Sequence, residues 1–377
     1  MLKKNLFTLL SVIVLNTFFM NIHGYIWKYT NENPVFVYSN SEQSHSARIK
    51  QIFQDYQISF QDVDHIDKTS DALYVLFNAA NIPAENLPKY YIIFQNLDLN
   101  NTAFTEEYAA KLGNAIAVWD YNWDNINKYR TLNNYYYFPE NYEYSDPVVL
   151  SCFLPVKTLH DYKALLMYSN RLNSDISSHL PVIFAHTVLQ NPDGIIEAGV
   201  RGGESTLAFS KAMRFCSSFL IGIDIDQYPN KLYSTLSNAK FLWMDDTKFP
   251  HTYAHDAELN KHALDIIFID TSHLYQHTLQ EIQGFTSTLS PRGYLSFHDS
   301  NMSTGPGHTW YTLNGATVGQ GWDNQRGVIR AIKDFFGLTF DESRYNSFTF
   351  NKNGFVWHIL HYPYCNGFTI IKKVSAA

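Results

Sequence analysis

Residues 194–206 read Gly194-Ile195-Ile196-Glu197-Ala198-Gly199-Val200-Arg201-Gly202-Gly203-Glu204-Ser205-Thr206. The pair Ile195-Ile196 ends a buried strand, and Glu197 stands where that strand stops. Gly199, Gly202 and Gly203 predict a tight turn with a bare backbone, and Ser205-Thr206-Leu207-Ala208-Phe209 opens a helix. A ligand can lie against such a turn, because the main-chain amides are uncovered and the helix start is electropositive. The glycines are spaced G-x-x-G-G rather than G-x-G-x-x-G, and the acid precedes the first glycine. Both features argue against a nicotinamide oxidoreductase.

Four more apolar runs follow, each ending in polar residues. Leu220 to Ile223 ends in Asp224, with Asp226 just beyond. Phe241 to Met244 ends in Asp245-Asp246. Ile266 to Ile269 ends in Asp270, with His273 three residues later. Tyr294 to Phe297 ends in His298-Asp299. In an open α/β sheet the carboxyl ends of the strands are where ligands bind. A carboxylate at Asp224 is placed to accept ribose hydroxyls, and an acid at the end of the third run suits an adenine amino group. Asp226 and Asp245 read as solvated neighbours.

The run from Gly194 to Ile332 resembles class I S-adenosylmethionine-dependent methyltransferases. Within them it is most similar to the sugar O-methyltransferases and the cephalosporin-hydroxylase-like proteins. The carrying residues are Glu197-x-Gly199-x-x-x-Gly203-x-Ser205-Thr206, Asp224, Asp270-Thr-Ser-His273-x-Tyr275, Pro291-x-Gly293, His298-Asp299 and Gly327-Val328-x-x-Ala331-Ile332. The resemblance implies an α/β fold with a Rossmann-like seven-stranded sheet. Ser347 to Phe350 and Phe355 to His361 would form its antiparallel terminal hairpin. It implies S-adenosylmethionine as cofactor, lined by Glu197, Gly199, Gly203 and Ser205, with Asp224 at the ribose and Asp246 near the adenine. The implied reaction is O-methylation of a small-molecule or sugar hydroxyl.

Such a transfer needs a base for the hydroxyl proton. His273 is the candidate, because an unperturbed imidazole titrates near pH 6.5. Asp270 joins it as a catalytic residue. In metal-dependent relatives the acid at the Asp270 position helps to hold Mg²⁺. Here the fifth strand offers His298-Asp299 rather than two carboxylates, so a Mg²⁺ site on Asp270 and Asp299 stays open. His298 reads equally well as a hydrogen-bonded structural histidine. The loop from Asn301 to Asn324, rich in Gly, Trp and Tyr, reads as a lid or acceptor-binding segment, with an ordinary surface connection as the competing reading.

Residues 25–148 form a smaller α/β domain ahead of the methyltransferase-like domain at 149–377. Val35 to Tyr38, Leu73 to Phe77, Tyr91 to Phe94 and Ala115 to Val118 are expected strands, with helices between them, which implies a parallel sheet. Tyr91 to Leu97, Ala117 to Asn122 and Phe138-Pro139 faintly resemble half of a glycosyltransferase-type Rossmann domain. Without its second lobe, a docking or substrate-presenting role is the expectation. At residues 1–24, Lys3-Lys4 precede an apolar run from Leu6 to Met20, the order of a signal peptide or membrane anchor. Export to a periplasmic or secreted location, or anchoring by this segment, is therefore expected.

Composition sets outer limits. The chain has 377 residues, is 45% hydrophobic and carries a formal charge of -7, so it lacks the basic surplus of a nucleic-acid binder. Cys152, Cys216 and Cys365 are too few and too scattered for a disulfide framework. The partners expected are a small-molecule or glycan acceptor, with self-association left open. The competing reading is an exported, non-catalytic binding protein that retains the methyltransferase fold.

Overall fold

The computed structural model describes residues 35–39, 43–55, 60–95, 105–120, 125, 135–137, 154–169, 172, 174–302, 311–313, 316–319, 326–344, 346–363 and 365–376. The chain divides into two compact units, Met1–Asn173 and Ser174–Ala377. The helix Leu159–Ser169 thus groups with the first unit.

The first unit holds β1 (Val35–Ser39), β2 (Phe60–Val63), β3 (Leu73–Phe77), β4 (Tyr90–Gln95), β5 (Ala117–Asp120) and β6 (Tyr135–Tyr137), in the sheet order β2-β1-β3-β4-β5-β6. Every pairing is parallel. β3 and β5 are buried along their whole length, as expected for strands covered on both faces. Helix α1 (Gln43–Asp55) follows β1. Helix α2 (Glu106–Asn114) begins where the Thr105 side chain accepts a hydrogen bond from the Tyr108 amide, with Glu106 and Glu107 in the electropositive first turn. Tyr108 and Leu112 from this helix pack with Tyr91, Ile93 and Val118. The four expected strands are present, and β2 and β6 add to them.

The second unit is built on β7 (Gly194–Ala198), β8 (Phe219–Asp224), β9 (Ala239–Trp243), β10 (Leu264–Ile269), β11 (Leu289–His298), β14 (Asn346–Lys352), β15 (Phe355–Tyr362) and β16 (Phe368–Ala376). The short pair β12 (Tyr311–Leu313) and β13 (Ala316–Gly319) forms a separate ribbon. The large sheet runs β14-β15-β16-β11-β10-β7-β8-β9. β9, β8, β7, β10 and β11 pair in parallel, while β16, β15 and β14 are antiparallel. The sheet therefore has eight strands rather than seven. The expected hairpin is present as β14 and β15, but β16 inserts between it and β11. In the segment from residue 368 to 376, Phe368, Thr369, Ile370 and Ile371 are buried in succession with no alternation, and its value as a strand emerges only once β11 offers it an edge.

Ile196, Ile221, Ile267, Leu295, Ile332 and Trp357 lie in one apolar core. The helix Gly327–Phe336 buries Val328, Ile329, Ala331, Ile332 and Phe336, the spacing of one helical face, and ends where Gly337 turns left-handed. Chain order reverses between β7 and β10, so a crevice opens beside the carboxyl ends of these two strands.

Among the described residues no helix is long and apolar enough to cross a membrane. This corrects the expectation of membrane anchoring and of an exported or anchored location. Residues 1–24, on which that expectation rested, lie outside the described residues. Most of the loop Asn301 to Asn324 lies outside them as well.

Candidate active site

The turn after β7 is built as its glycines require. Gly199 has φ +82°, and a Cβ there would lie 1.9 Å from the carbonyl oxygen of Asp270. The backbones of the β7 and β10 ends thus touch at the crevice, and only glycine fits. The Asp270 amide donates to Ala198 O at 2.9 Å, which closes the same contact. Gly203, at φ +86°, precedes the helix Glu204–Ala212.

Glu197 is fully buried at the end of β7. Ser205 Oγ donates to its Oε1 at 2.5 Å, and Thr206 Oγ1 lies 2.8 Å from its Oε2. Tyr233 Oη donates to the same Oε2. Burial pushes the Glu197 carboxyl up to about 7, against the pull of these hydroxyls. Both Glu197 and Ser205, expected at the cofactor, therefore also fasten the first helix turn to the strand. Asp224 accepts from the amides of Val200 (2.9 Å) and Arg201 (3.0 Å) through Oδ2, and from Asp226 through Oδ1 at 2.8 Å. It clasps the glycine turn and stays half-buried at the rim, with capacity to accept further bonds. Asp226 is exposed, as expected. Asp245 is half-buried, and its Oδ1 accepts from the Thr247 amide at 3.0 Å.

The ends of β10 and β11 bring four ionisable groups together. His273 Nε2 lies 3.1 Å from Asp270 Oδ1 and 3.2 Å from Asp299 Oδ2. His298 Nδ1 lies 3.2 Å from Asp299 Oδ1 and 3.6 Å from Asp270 Oδ1. His273 and Asp299 both adopt left-handed backbone, φ 59° and 55°. Burial opposes charge on Asp270, yet His298 and His273 hold its carboxyl far below the usual range. Burial also opposes charge on His273, and the bond to Asp270 with the charge on Asp299 outweighs it, raising the imidazole. The same carboxylates raise His298 well above its usual range despite burial. His298 is only 1% exposed and carries a His179 ring at 5.3 Å, edge-on. Asp270, His273 and Asp299 offer ligand atoms all within 4.8 Å of one another, a donor set that fits a divalent cation.

Asp246, beyond β9, is 5% exposed and lies apart from this quartet, against the helix Tyr275–Thr288. His277 Nε2 is 3.3 Å from its Oδ1. Burial would raise the Asp246 carboxyl, but bonds with His277 and Glu281 leave it lowered. Sequence reading missed His277, Glu281, Tyr233 and His179. The i, i+4 spacing of His273, His277 and Glu281 is the one signal that could have flagged the first two. Tyr233 and His179 reach the site only through the fold.

Residues 196–300 match a family described as a methyltransferase domain. A search of curated proteins gave no match. Among solved structures, the chain is similar to the methyltransferase PaMTH1 of Podospora anserina bound to SAH, at 16% identity, covering 63% of this chain and 97% of that one, with TM-score 0.34. It is similar to the Bacillus cereus O-methyltransferase in complex with SAH at 14% identity, 61% and 96% coverage and TM-score 0.34. An O-methyltransferase family protein of Burkholderia thailandensis gives 11% identity, 59% and 63% coverage and TM-score 0.36. Overlays this loose carry no functional weight. The strand order and the crevice give the second unit a methyltransferase-like fold, and the family match over residues 196–300 falls within it. The fold and this match, both within the second unit, support an S-adenosylmethionine-dependent methyltransferase.

Proposed function

We propose that the second unit transfers a methyl group from S-adenosylmethionine to an oxygen of a small-molecule or sugar acceptor. The observation that carries this reading is the convergence of Asp270, His273, Asp299 and His298 beside a glycine turn with no room for a side chain. In the proposal Gly199 and Gly203 keep the floor of the adenosyl pocket bare, Ser205 stands at the helix start, Glu197 locks the turn, Asp224 receives ribose hydroxyls and Asp246 backs the adenine side.

S-adenosylmethionine supplies an electrophilic methyl on sulfur. The acceptor oxygen forms the new C–O bond as the S–C bond breaks, and the hydroxyl proton passes to a base. His273 Nε2, held between two carboxylates, is the proposed base. Asp270 orients it and offsets its positive charge once the proton has arrived. Asp270 and Asp299 would hold a divalent cation such as Mg²⁺, which would lower the pKa of a bound hydroxyl. The sugar O-methyltransferase subgroup, and a glycan-docking role for the first unit, belong to this reading and rest on the sequence motifs alone.

Isothermal titration of the full chain with S-adenosylmethionine tests the reading. Micromolar binding that weakens at least about tenfold in Asp224→Ala supports it, since a lost charge-assisted bond is worth about 1.5–3 kcal/mol. No heat at millimolar ligand refutes it. Undiminished turnover in His273→Gln would remove the base assignment, and a rate indifferent to EDTA would remove the cation.

A further inference from the structure

A second group of ligating side chains lies outside the catalytic quartet. Asp245 and Asp246 follow β9, and His277 projects from the helix Tyr275–Thr288. His277 Nε2 lies 3.3 Å from Asp246 Oδ1 and 3.9 Å from Asp245 Oδ1, and the three residues offer ligand atoms all within 4.8 Å of one another. Glu281, one helical turn further on, bonds to Asp246 and lies 3.8 Å from His277 Nδ1. Thr271 Oγ1 donates to Glu281 Oε1, and Ser272 Oγ lies 2.7 Å from His277 Nδ1, which orients the ring with Nε2 toward the two aspartates.

Two observations separate this group from an ordinary acidic surface. Asp246 and Glu281 are 5% and 1% exposed, and apart from the bond between the two carboxyls, their buried oxygens Oδ2 and Oε2 have no hydrogen-bond partner. A pair of buried carboxyls is costly unless a proton or a cation joins it. No lysine or arginine from the described residues forms an ion pair with Asp246 or Glu281. The carboxylates, with an imidazole whose far nitrogen is already held, match the mixed oxygen and nitrogen preference of a borderline divalent cation.

We propose that Asp245, Asp246 and His277, backed by Glu281, form a divalent-cation site for Mn²⁺ or a similar ion, distinct from the Asp270 and Asp299 pair. The ion would tie the end of β9 to the helix Tyr275–Thr288 and so set the wall of the crevice at that strand. It is a structural cation in this proposal, and it holds whatever the acceptor of the enzyme is.

The test uses Mn²⁺ alone and the full chain carrying Asp270→Asn and Asp299→Asn, which removes the other carboxylate pair. Free Mn²⁺ is read by electron paramagnetic resonance during titration. One equivalent bound in this background, with affinity lowered about tenfold or more by His277→Gln and by Glu281→Gln, is the expected result. No binding at millimolar Mn²⁺, or binding indifferent to both substitutions, overturns the proposal and means that a shared proton closes the Asp246–Glu281 pair. Circular dichroism checks that the variants fold. If the double variant does not, selective paramagnetic broadening of the His277 ring protons in the unaltered chain is expected, and its absence overturns the proposal equally.

Discussion

Both units are α/β domains with parallel strands that end in polar residues, and the two rims use those residues in opposite ways. In the first unit, Gln95 closes β4 and Asp120 closes β5. Tyr108 Oη donates to Gln95 Oε1 at 2.5 Å, and Asn125 Nδ2 donates to Asp120 Oδ2 at 2.9 Å. These contacts pair groups of the first unit with neutral partners, which holds loops and helices to the sheet. In the second unit, Asp270 and Asp299 face two histidines, and a glycine turn keeps side chains out of the space beside them. A sheet edge becomes reactive when ionisable groups meet there and backbone leaves room for a ligand. Polar strand ends alone do not achieve this.

The comparison can be broken most severely at the glycine turn. Gly199→Ala would drive a methyl group into the Asp270 carbonyl and force a left-handed alanine. A stability loss of about 3 kcal/mol or more is expected, read as a fall in Tm of about 6–12 °C. On the first rim the left-handed position after β3 is held by Asn78, at φ 55°. Asn78→Gly should cost less than about 1 kcal/mol there.

Charge removal sharpens the contrast in function. Asp270→Asn should lower kcat/KM by about 10²–10⁴, the usual scale of general-base assistance. Asp120→Asn, at the matching place of the first unit, should leave turnover within about twofold while lowering Tm, because a buried bond weakens without touching the chemistry. Equal losses in the two variants would dissolve the distinction between the rims.

Stability should also respond to pH through the second rim. Glu197 is raised to about 7 in the folded chain from a usual 4.5. Between these values the folded state holds the proton more tightly than the unfolded state, so its contribution to stability falls as pH rises through that window. The loss is on the order of 3 kcal/mol at 1.36 kcal/mol per pKa unit. Glu197→Gln should flatten this slope between pH 4.5 and 7, seen as a smaller change in urea midpoint than in the unaltered chain. An unchanged slope would show that Glu197 is not the group responsible. The smallest effect is expected from Tyr108→Phe in the first unit, about 1 kcal/mol of stability with kcat unaltered.

Much of the second unit was legible because its signals are local. Buried parallel strands appear as short apolar runs, and an acid after each run marks its carboxyl end. Gly199 was readable as a turn, though not as the point where β7 and β10 touch, because that contact involves residues far apart in the chain. β16 was missed for a similar reason. Its residues form a strand because β11 and β15 offer edges on either side. The expectation of anchoring came from residues 1–24, and the helices that the structure describes give no support to a membrane span.

By itself, the order of residues determined that two α/β units follow one another, that the second carries acids at successive strand ends, and that a glycine turn opens its first helix. Periodicity and chain order encode these features directly. Only the tertiary structure decided which acids meet which histidines. His273 lies between Asp270 and Asp299, and His277 pairs with Asp246 rather than with that trio. Such pairings depend on register between strands and on helix placement, where a few ångströms separate a bonded ion pair from two solvated charges.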